Sequence, residues 1–117
     1  MAAERSVLIT GVGCSAIGRR LQLDPLRLTV DASLAAIADA GLTPEDIDGV
    51  ATYPGAIGKT PGITGAGVDD VRSLLGLSLR WYAGGGEVTG QLGAVVNAIL
   101  AVHAGVADHV LVFRTVW

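Results

Sequence analysis

The feature that most constrains this chain lies at residues 92–104, LGAVVNAILAVHA. On a helix of 3.6 residues per turn, Leu92, Val95, Val96, Ile99, Leu100 and Val102 spread around most of the circumference, with small residues between them. A helix apolar on every side needs protein on every side. It is no membrane span, because Gly93 and Asn97 interrupt a run already well short of the ~20 residues that crossing a bilayer takes. A three-layer domain has no position for such a helix unless further protein covers it. The chain also finishes on apolar Val116-Trp117 just after a strand-like run. Both features predict that residues 1–117 are an incomplete, N-terminal portion of a larger layered domain.

The rest of the chain alternates strand and helix patterns. Residues 6–13, SVLITGVG, form a continuous apolar run ended by glycines, the pattern of a strand covered on both faces. Residues 26–40 place Leu26, Val30, Leu34, Ile37 and Ala38 on one stripe, with Pro25 at the start and Gly41 just past the end. Thr43 and Pro44 open a short turn, and residues 47–53 read as a second strand. Residues 54–67 are rich in glycine and proline without hydrophobic period, a loop expected to be functional or mobile. Residues 68–76 then read as a short helix stopped by glycine, 77–82 as a third strand and 107–114 as a fourth. The order β-α-β-α-β-α-β predicts an α/β fold with a mostly parallel sheet and a buried helix at about 89–104.

Composition removes several function classes. A net charge of −3 without a Lys/Arg cluster gives no electrostatic footprint for nucleic acid. A single cysteine, Cys14, excludes an internal disulfide, and no signal-peptide pattern opens the chain, so a cytoplasmic protein is expected.

Short motifs carry little by themselves. Gly11-Val-Gly13-Cys-Ser-Ala16 matches the dinucleotide fingerprint GxGxxG/A, but Gly18, two arginines and Asp24-Pro25 interrupt the helix that should follow, and Asp31 falls inside a helix. A strand-to-loop turn is the expected role. Cys14 has no neighbouring histidine or helix start to activate it and is expected to be at least partly buried. His103 and His109 lack a third ligand, so no metal site is expected. Asp69-Asp70 and Glu45-Asp46-Asp48 suit helix starts and solvated turns. The segment YAGGGEVTGQLGA, residues 82–94, stands apart. Glycines ahead of an apolar helix can bring a ligand against backbone amides that favour developing negative charge, or they can simply connect a strand to a helix.

Four stretches, VLITGVGCSAIGRR, DASLAAIADAGLTPEDIDGVATY, LGLSLRWYAGGG and AVVNAILAVHAGVADHVLVFR, together resemble the N-terminal part of thiolase-superfamily proteins, in particular the sterol-carrier and lipid-transfer branch. The resemblance covers nearly the whole chain. It implies a thiolase-like layered fold in which the helix at 89–104 is sandwiched between two sheets. It also implies a nucleophilic cysteine at the start of that helix, near Val88 or Thr89, where this sequence has none. Replacement by GGGEVTG is similar to a cysteine-less subgroup that resembles aldolases of steroid side-chain breakdown.

The expected function is therefore an acyl-CoA-processing protein, a retro-aldolase acting on a steroid-type β-hydroxyacyl-CoA. A non-catalytic acyl-CoA or lipid-binding protein and a true thiolase are the alternatives. Gly85, Gly86, Glu87, Val88, Thr89 and Gly90 are the expected substrate-binding residues. No cofactor is expected beyond the coenzyme A thioester that serves as substrate. The resemblance further implies a homodimer and a small OB-fold partner, and the 117 residues alone are expected to be inactive.

Overall fold

The structure, a computed structural model, describes residues 6–55, 60–85 and 90–117. Helix α1 (Pro25–Asp39) begins where expected: the Asp24 carboxylate accepts from the Leu26 N–H at 2.8 Å and Pro25 occupies the first turn, where a missing N–H costs nothing. A single turn of 3-10 helix (Pro44–Asp46) follows, held by the Asp46 carboxylate, which accepts from both the N–H and the hydroxyl of Thr43. Strand β1 (Gly49–Thr52), helix α2 (Val68–Leu75), strand β2 (Trp81–Gly84), helix α3 (Gln91–His103) and strand β3 (Val110–Phe113) complete the order. Gly76 ends α2 at φ +65°, a left-handed conformation that glycine adopts without strain.

The three strands form a parallel sheet in the order β2-β1-β3, with Gly49 opposite both Trp81 and Val110. Alternation along the strands sorts side chains to two faces. Val50, Leu111 and Phe113 point to one face and pack with Ile37 of α1 and Val68 and Val71 of α2. Ala51, Val110 and Val112 point to the other, against Ala94 and Ala98 of α3. Helices α1 and α2 thus cover one face and α3 the other. Central β1 is buried along its whole length, as its uninterrupted GVAT run requires.

Four expectations need correction. The run at 6–13 is not a strand: residues 7–18 have no regular secondary structure and pair with no strand among the described residues. Its glycines instead lie against α1. A Cβ on Gly11 would stand 2.4 Å from the Ala36 carbonyl oxygen and 2.8 Å from the Ala40 nitrogen, and one on Gly13 would stand 2.4 Å from the Ala36 nitrogen and 2.6 Å from the Ala32 carbonyl oxygen. Two residues of this segment therefore advance along about four residues of helix, ~6 Å at 1.5 Å per residue, which is the stride of extended chain. The segment runs extended and antiparallel to α1, and the two glycines of the apparent nucleotide fingerprint serve this close approach.

Second, α3 is not enclosed on all sides. Its alanines Ala94, Ala98 and Ala101 are buried on the sheet, whereas Leu92, Val96 and Leu100 are 68%, 49% and 51% exposed. Among the described residues no second layer lies over that outer face, so the two-sheet sandwich is not seen. Third, the described part of the 54–67 loop is firmly packed. Thr64, Gly65, Ala66 and Gly67 are buried, and the chain end is tied to them: Gly62 N–H donates to the Trp117 carbonyl at 2.8 Å, Gly65 N–H to that of Thr115 at 3.0 Å, and the Trp117 indole to the Thr64 carbonyl at 3.2 Å. Fourth, Cys14 is exposed, because residue 14 alternates with the glycines that face α1.

Candidate functional site at the carboxyl ends of the strands

Adjacent strands β1 and β2 send their following chain to opposite faces, β1 toward α2 and β2 toward α3. In a parallel α/β sheet this divergence opens a crevice beyond the carboxyl ends of the strands, where ligands usually sit. Here the two outgoing loops touch through glycine: a Cβ on Gly55 would stand 2.7 Å from the Gly84 Cα, and one on Gly84 would stand 3.1 Å from the Gly55 Cα. The described parts of the glycine segment singled out in the sequence, residues 82–85 and 90–94, flank this crevice.

Of its six expected substrate-binding residues, Gly85 and Gly90 are described, whereas Gly86, Glu87, Val88 and Thr89 lie outside the described residues. Gly90 caps α3 at φ +63° and ψ −130°, a conformation that residues with side chains rarely adopt. The Tyr53 ring lies beside it, 3.5 Å from where a Cβ would be. The first N–H groups of α3 have no partner one turn earlier in the helix, so this end presents donors and the positive pole of the helix dipole.

Two further side chains frame the corner, and composition alone did not single them out. The Gln91 side chain bridges two strand ends, donating to the Phe113 carbonyl at 3.0 Å and accepting from the Tyr53 N–H at 3.1 Å. Arg114 donates to the Tyr53 carbonyl at 2.6 Å and the Ile63 carbonyl at 2.7 Å, and its guanidinium lies 5.3 Å from the centre of the Tyr53 ring. These groups brace the corner; both terminal nitrogens of Arg114 are engaged with backbone. The available sequence signals were a polar residue opening an otherwise apolar helix and an arginine closing an apolar strand.

The other candidates lie elsewhere. Cys14 is on the segment beside α1, and the His103 ring meets the Ser6 hydroxyl at 2.8 Å. Asp70 accepts from Gly67 N–H at the start of α2 and Asp69 pairs with Arg72, so both serve the helix start as expected. No group of three His, Cys, Asp or Glu residues placed to hold a metal ion occurs among the described residues. Asp48 sits at the opposite, amino-terminal end of the sheet. Partial burial opposes its charge, yet the His109 and Asp108 amides and the Arg80 guanidinium together hold its carboxyl below the usual value. Backbone and hydroxyl donation from Thr43 likewise lowers that of Asp46. Both are structural effects remote from the crevice.

With this geometry in place, the likeness to known proteins is informative. No protein-family model matches the chain. It is 34% identical over 106 residues to a 17-hydroxy-3-oxo-4-pregnene-20-carboxyl-CoA lyase of Mycobacterium tuberculosis and 34% identical over 109 residues to a steroid side-chain-cleaving aldolase of Thermomonospora curvata. Each match takes in 91% of this chain and 26% of the relative. Among solved structures it resembles an Ltp2-ChsH2(DUF35) aldolase with a TM-score of 0.74 and 30% identity, again over 91% of this chain and 26% of the other. The chain thus spans about a quarter of the length of the proteins it matches, and over that quarter its fold resembles that of the Ltp2-ChsH2(DUF35) aldolase. No helix among the described residues is long and apolar enough to cross a membrane.

Proposed function

We propose that this chain forms the N-terminal part of a thiolase-like protein without a nucleophilic cysteine, whose full-length form is a retro-aldolase cleaving a steroid-type β-hydroxyacyl-CoA. The observation that carries this reading is the 34% identity to two steroid-cleaving lyases across 91% of the chain. It is supported by a helix start at the strand-end crevice that opens on Gly90-Gln91 with no cysteine in the preceding glycine segment.

For a 17-hydroxy-20-carboxyl thioester the reaction is a retro-aldol cleavage. A base removes the 17-hydroxyl proton, the C17–C20 bond breaks as the 17-ketone forms, and the electron pair becomes the enolate of propionyl-CoA, which is then protonated at carbon. The chemistry needs a base and donors for the thioester oxygen as it gains charge. The glycine segment 85–90 and the amino end of α3 suit the second task, with glycines admitting the thioester close to backbone. The base belongs to the rest of the protein, so the 117 residues alone are inactive. The second protein named in the Ltp2-ChsH2(DUF35) aldolase supports proposing that the full-length protein works with a protein partner; that the partner is a small OB-fold protein and that the full-length protein is a homodimer rest on the family resemblance alone.

The test is incubation of a longer protein containing this segment with 17-hydroxy-3-oxo-4-pregnene-20-carboxyl-CoA. Release of equal amounts of 17-ketosteroid and propionyl-CoA is expected, unchanged by Cys14→Ser or by thiol alkylation. Acyl transfer to free coenzyme A, or loss of activity on alkylation, would show cysteine chemistry and refute the reading. Binding of the thioester without turnover would leave a lipid-binding protein.

A further inference from the structure

Tyr53 is the first residue beyond the carboxyl end of β1, and its backbone is fixed on both sides. Its N–H donates to the Gln91 side chain at 3.1 Å, and its carbonyl accepts from Arg114 at 2.6 Å. With the backbone pinned, the ring's contacts set where the side chain ends. The point where a Cβ would stand on Gly90 lies 3.5 Å from Cε1, 3.6 Å from Cδ1 and 4.0 Å from Cζ of that ring. The outer half of the ring therefore lies against the residue that caps α3. The phenol hydroxyl is one bond beyond Cζ and so sits beside the amino end of that helix. No hydrogen bond engages it among the described residues, and Tyr53 is only partly buried. Behind the ring, the Arg114 guanidinium lies 5.3 Å from its centre and is itself held by the Tyr53 and Ile63 carbonyls.

We propose that Tyr53 is a catalytic residue: its phenol O–H donates to the thioester oxygen of the bound β-hydroxyacyl-CoA as that oxygen takes on the charge of the enolate. This rests on the retro-aldol reading above and adds a side-chain donor to the backbone amides at the start of α3. When the C17–C20 bond breaks, its electron pair passes into the enolate. The phenol keeps its proton, and its hydrogen bond to the oxygen strengthens as that oxygen becomes charged. The base for the 17-hydroxyl and the later protonation at carbon are therefore separate from Tyr53. A donor of this kind lowers a barrier most when it stands in place beforehand, because nothing then has to reorganise as charge develops. The contacts of Tyr53 supply that placement: Gln91 and Arg114 hold its backbone, and Gly90 and the Arg114 guanidinium hold its ring. Arg114 is accordingly a positioning residue that acts through the hydroxyl. Packing at this corner needs only the ring, which phenylalanine would provide equally well; the hydroxyl is the part left for substrate.

The test is made in a longer protein containing this segment, with 17-hydroxy-3-oxo-4-pregnene-20-carboxyl-CoA as substrate. Tyr53→Phe removes one oxygen and leaves the ring. It is expected to lower kcat by about 10–100-fold with KM within about threefold, since the hydroxyl acts on charge that the ground state lacks. Arg114→Gln is expected to lower kcat about tenfold in the wild-type background and by less than about twofold in Tyr53→Phe, because it acts through the same hydroxyl. Equal losses in both backgrounds would overturn the role of Arg114; if that variant does not fold, Tyr53→Phe alone decides. A kcat for Tyr53→Phe within about twofold of wild type overturns the proposal and leaves the retro-aldol reading standing. A raised KM with unchanged kcat also overturns it, because the hydroxyl would then serve binding alone. A wild-type protein that releases no 17-ketosteroid and propionyl-CoA refutes the reaction, and this role with it.

Discussion

Replacing Asp48 by alanine removes the one side chain that gathers the amino-terminal ends of all three strands. Its carboxylate accepts from Asp108 N–H at 2.9 and 3.1 Å, from His109 N–H at 2.9 Å and from Arg80 Nη1 at 3.1 Å, fastening the entry to β3 and the residue before β2 onto the start of β1. Hydrogen bonds to a charged group contribute roughly 1.5–3 kcal/mol each when their partners stay dry. Here Asp108 and His109 are exposed, so water replaces part of what is lost, and Arg80, 54% exposed, adds a fraction of a kcal/mol. The expected cost of Asp48→Ala is about 2–3 kcal/mol, and of Asp48→Asn, which keeps an acceptor but loses the charge, about 1–2 kcal/mol. For a domain of this size that is roughly 5–12 °C in Tm. The pH dependence separates this account from simple loss of packing. The folded-state pKa of Asp48 lies below its unfolded value, so its contribution is complete above about pH 4 and disappears as pH falls through the folded pKa. Urea melts of wild type and Asp48→Asn at pH 7 and pH 3 should show the stability gap closing in acid. A gap that stays constant or widens at pH 3 would refute the reasoning.

Three further outcomes follow from the packing. Gly13→Ala places a methyl 2.4 Å from the Ala36 nitrogen and should lift residues 7–18 off α1, costing about 1–3 kcal/mol in urea melts and increasing protease cleavage at Arg19-Arg20; an unchanged midpoint would mean the glycines are not there for close approach. On α3, Ala98→Leu should destabilise by about 1–3 kcal/mol because it wedges the helix off Ala51, whereas Leu100→Gln on the outer face should stay within about 0.5 kcal/mol in this chain. Gln91→Ala should cost about 1–2 kcal/mol and raise hydrogen exchange at the Tyr53 amide, since it leaves that part-buried N–H without an acceptor.

Which parts of this fold were legible follows from where the determining interactions lie. Helix α1 was readable to within a residue, because Asp24-Pro25 and Gly41 act locally on their own backbone. Strand β1 was readable because a central parallel strand must be apolar on both faces. The segment at 7–13 carries the same apolar signature and is not a strand, since pairing depends on a neighbour that periodicity does not encode. Its glycines drew attention as a nucleotide motif, whereas the distances to Ala32 and Ala36 show a packing role that only tertiary structure reveals. The glycine-rich loop looked mobile for a related reason: its anchors, Thr115 and Trp117, are about fifty residues away in sequence. At the crevice, the sequence pointed to residues 85–90 through composition, but Gln91 and Arg114 act through contacts with strand ends that no local pattern announces.

The exposed outer face of α3 and the edge of β3 that has no neighbouring strand among the described residues are two consequences of one arrangement. A sheet whose order is β2-β1-β3 ends at β3, yet β3 is as apolar as an interior strand, with Leu111 and Phe113 buried beneath and Val110 and Val112 beneath α3. An edge strand built this way ordinarily carries charge or proline to discourage unwanted pairing, and VLVF carries neither. The same holds one layer out, where Leu92, Val96 and Leu100 form an apolar stripe along α3. A stripe on a helix and an unprotected strand edge require different cover: side-chain packing for the first, backbone pairing for the second. Small apolar ligands could serve the first requirement but not the second. The strand-end crevice, by contrast, is braced within the chain by Gln91, Arg114 and the glycine contacts of Gly55 and Gly84. Its geometry is therefore set by residues present here, which makes the crevice the part of the site to probe first.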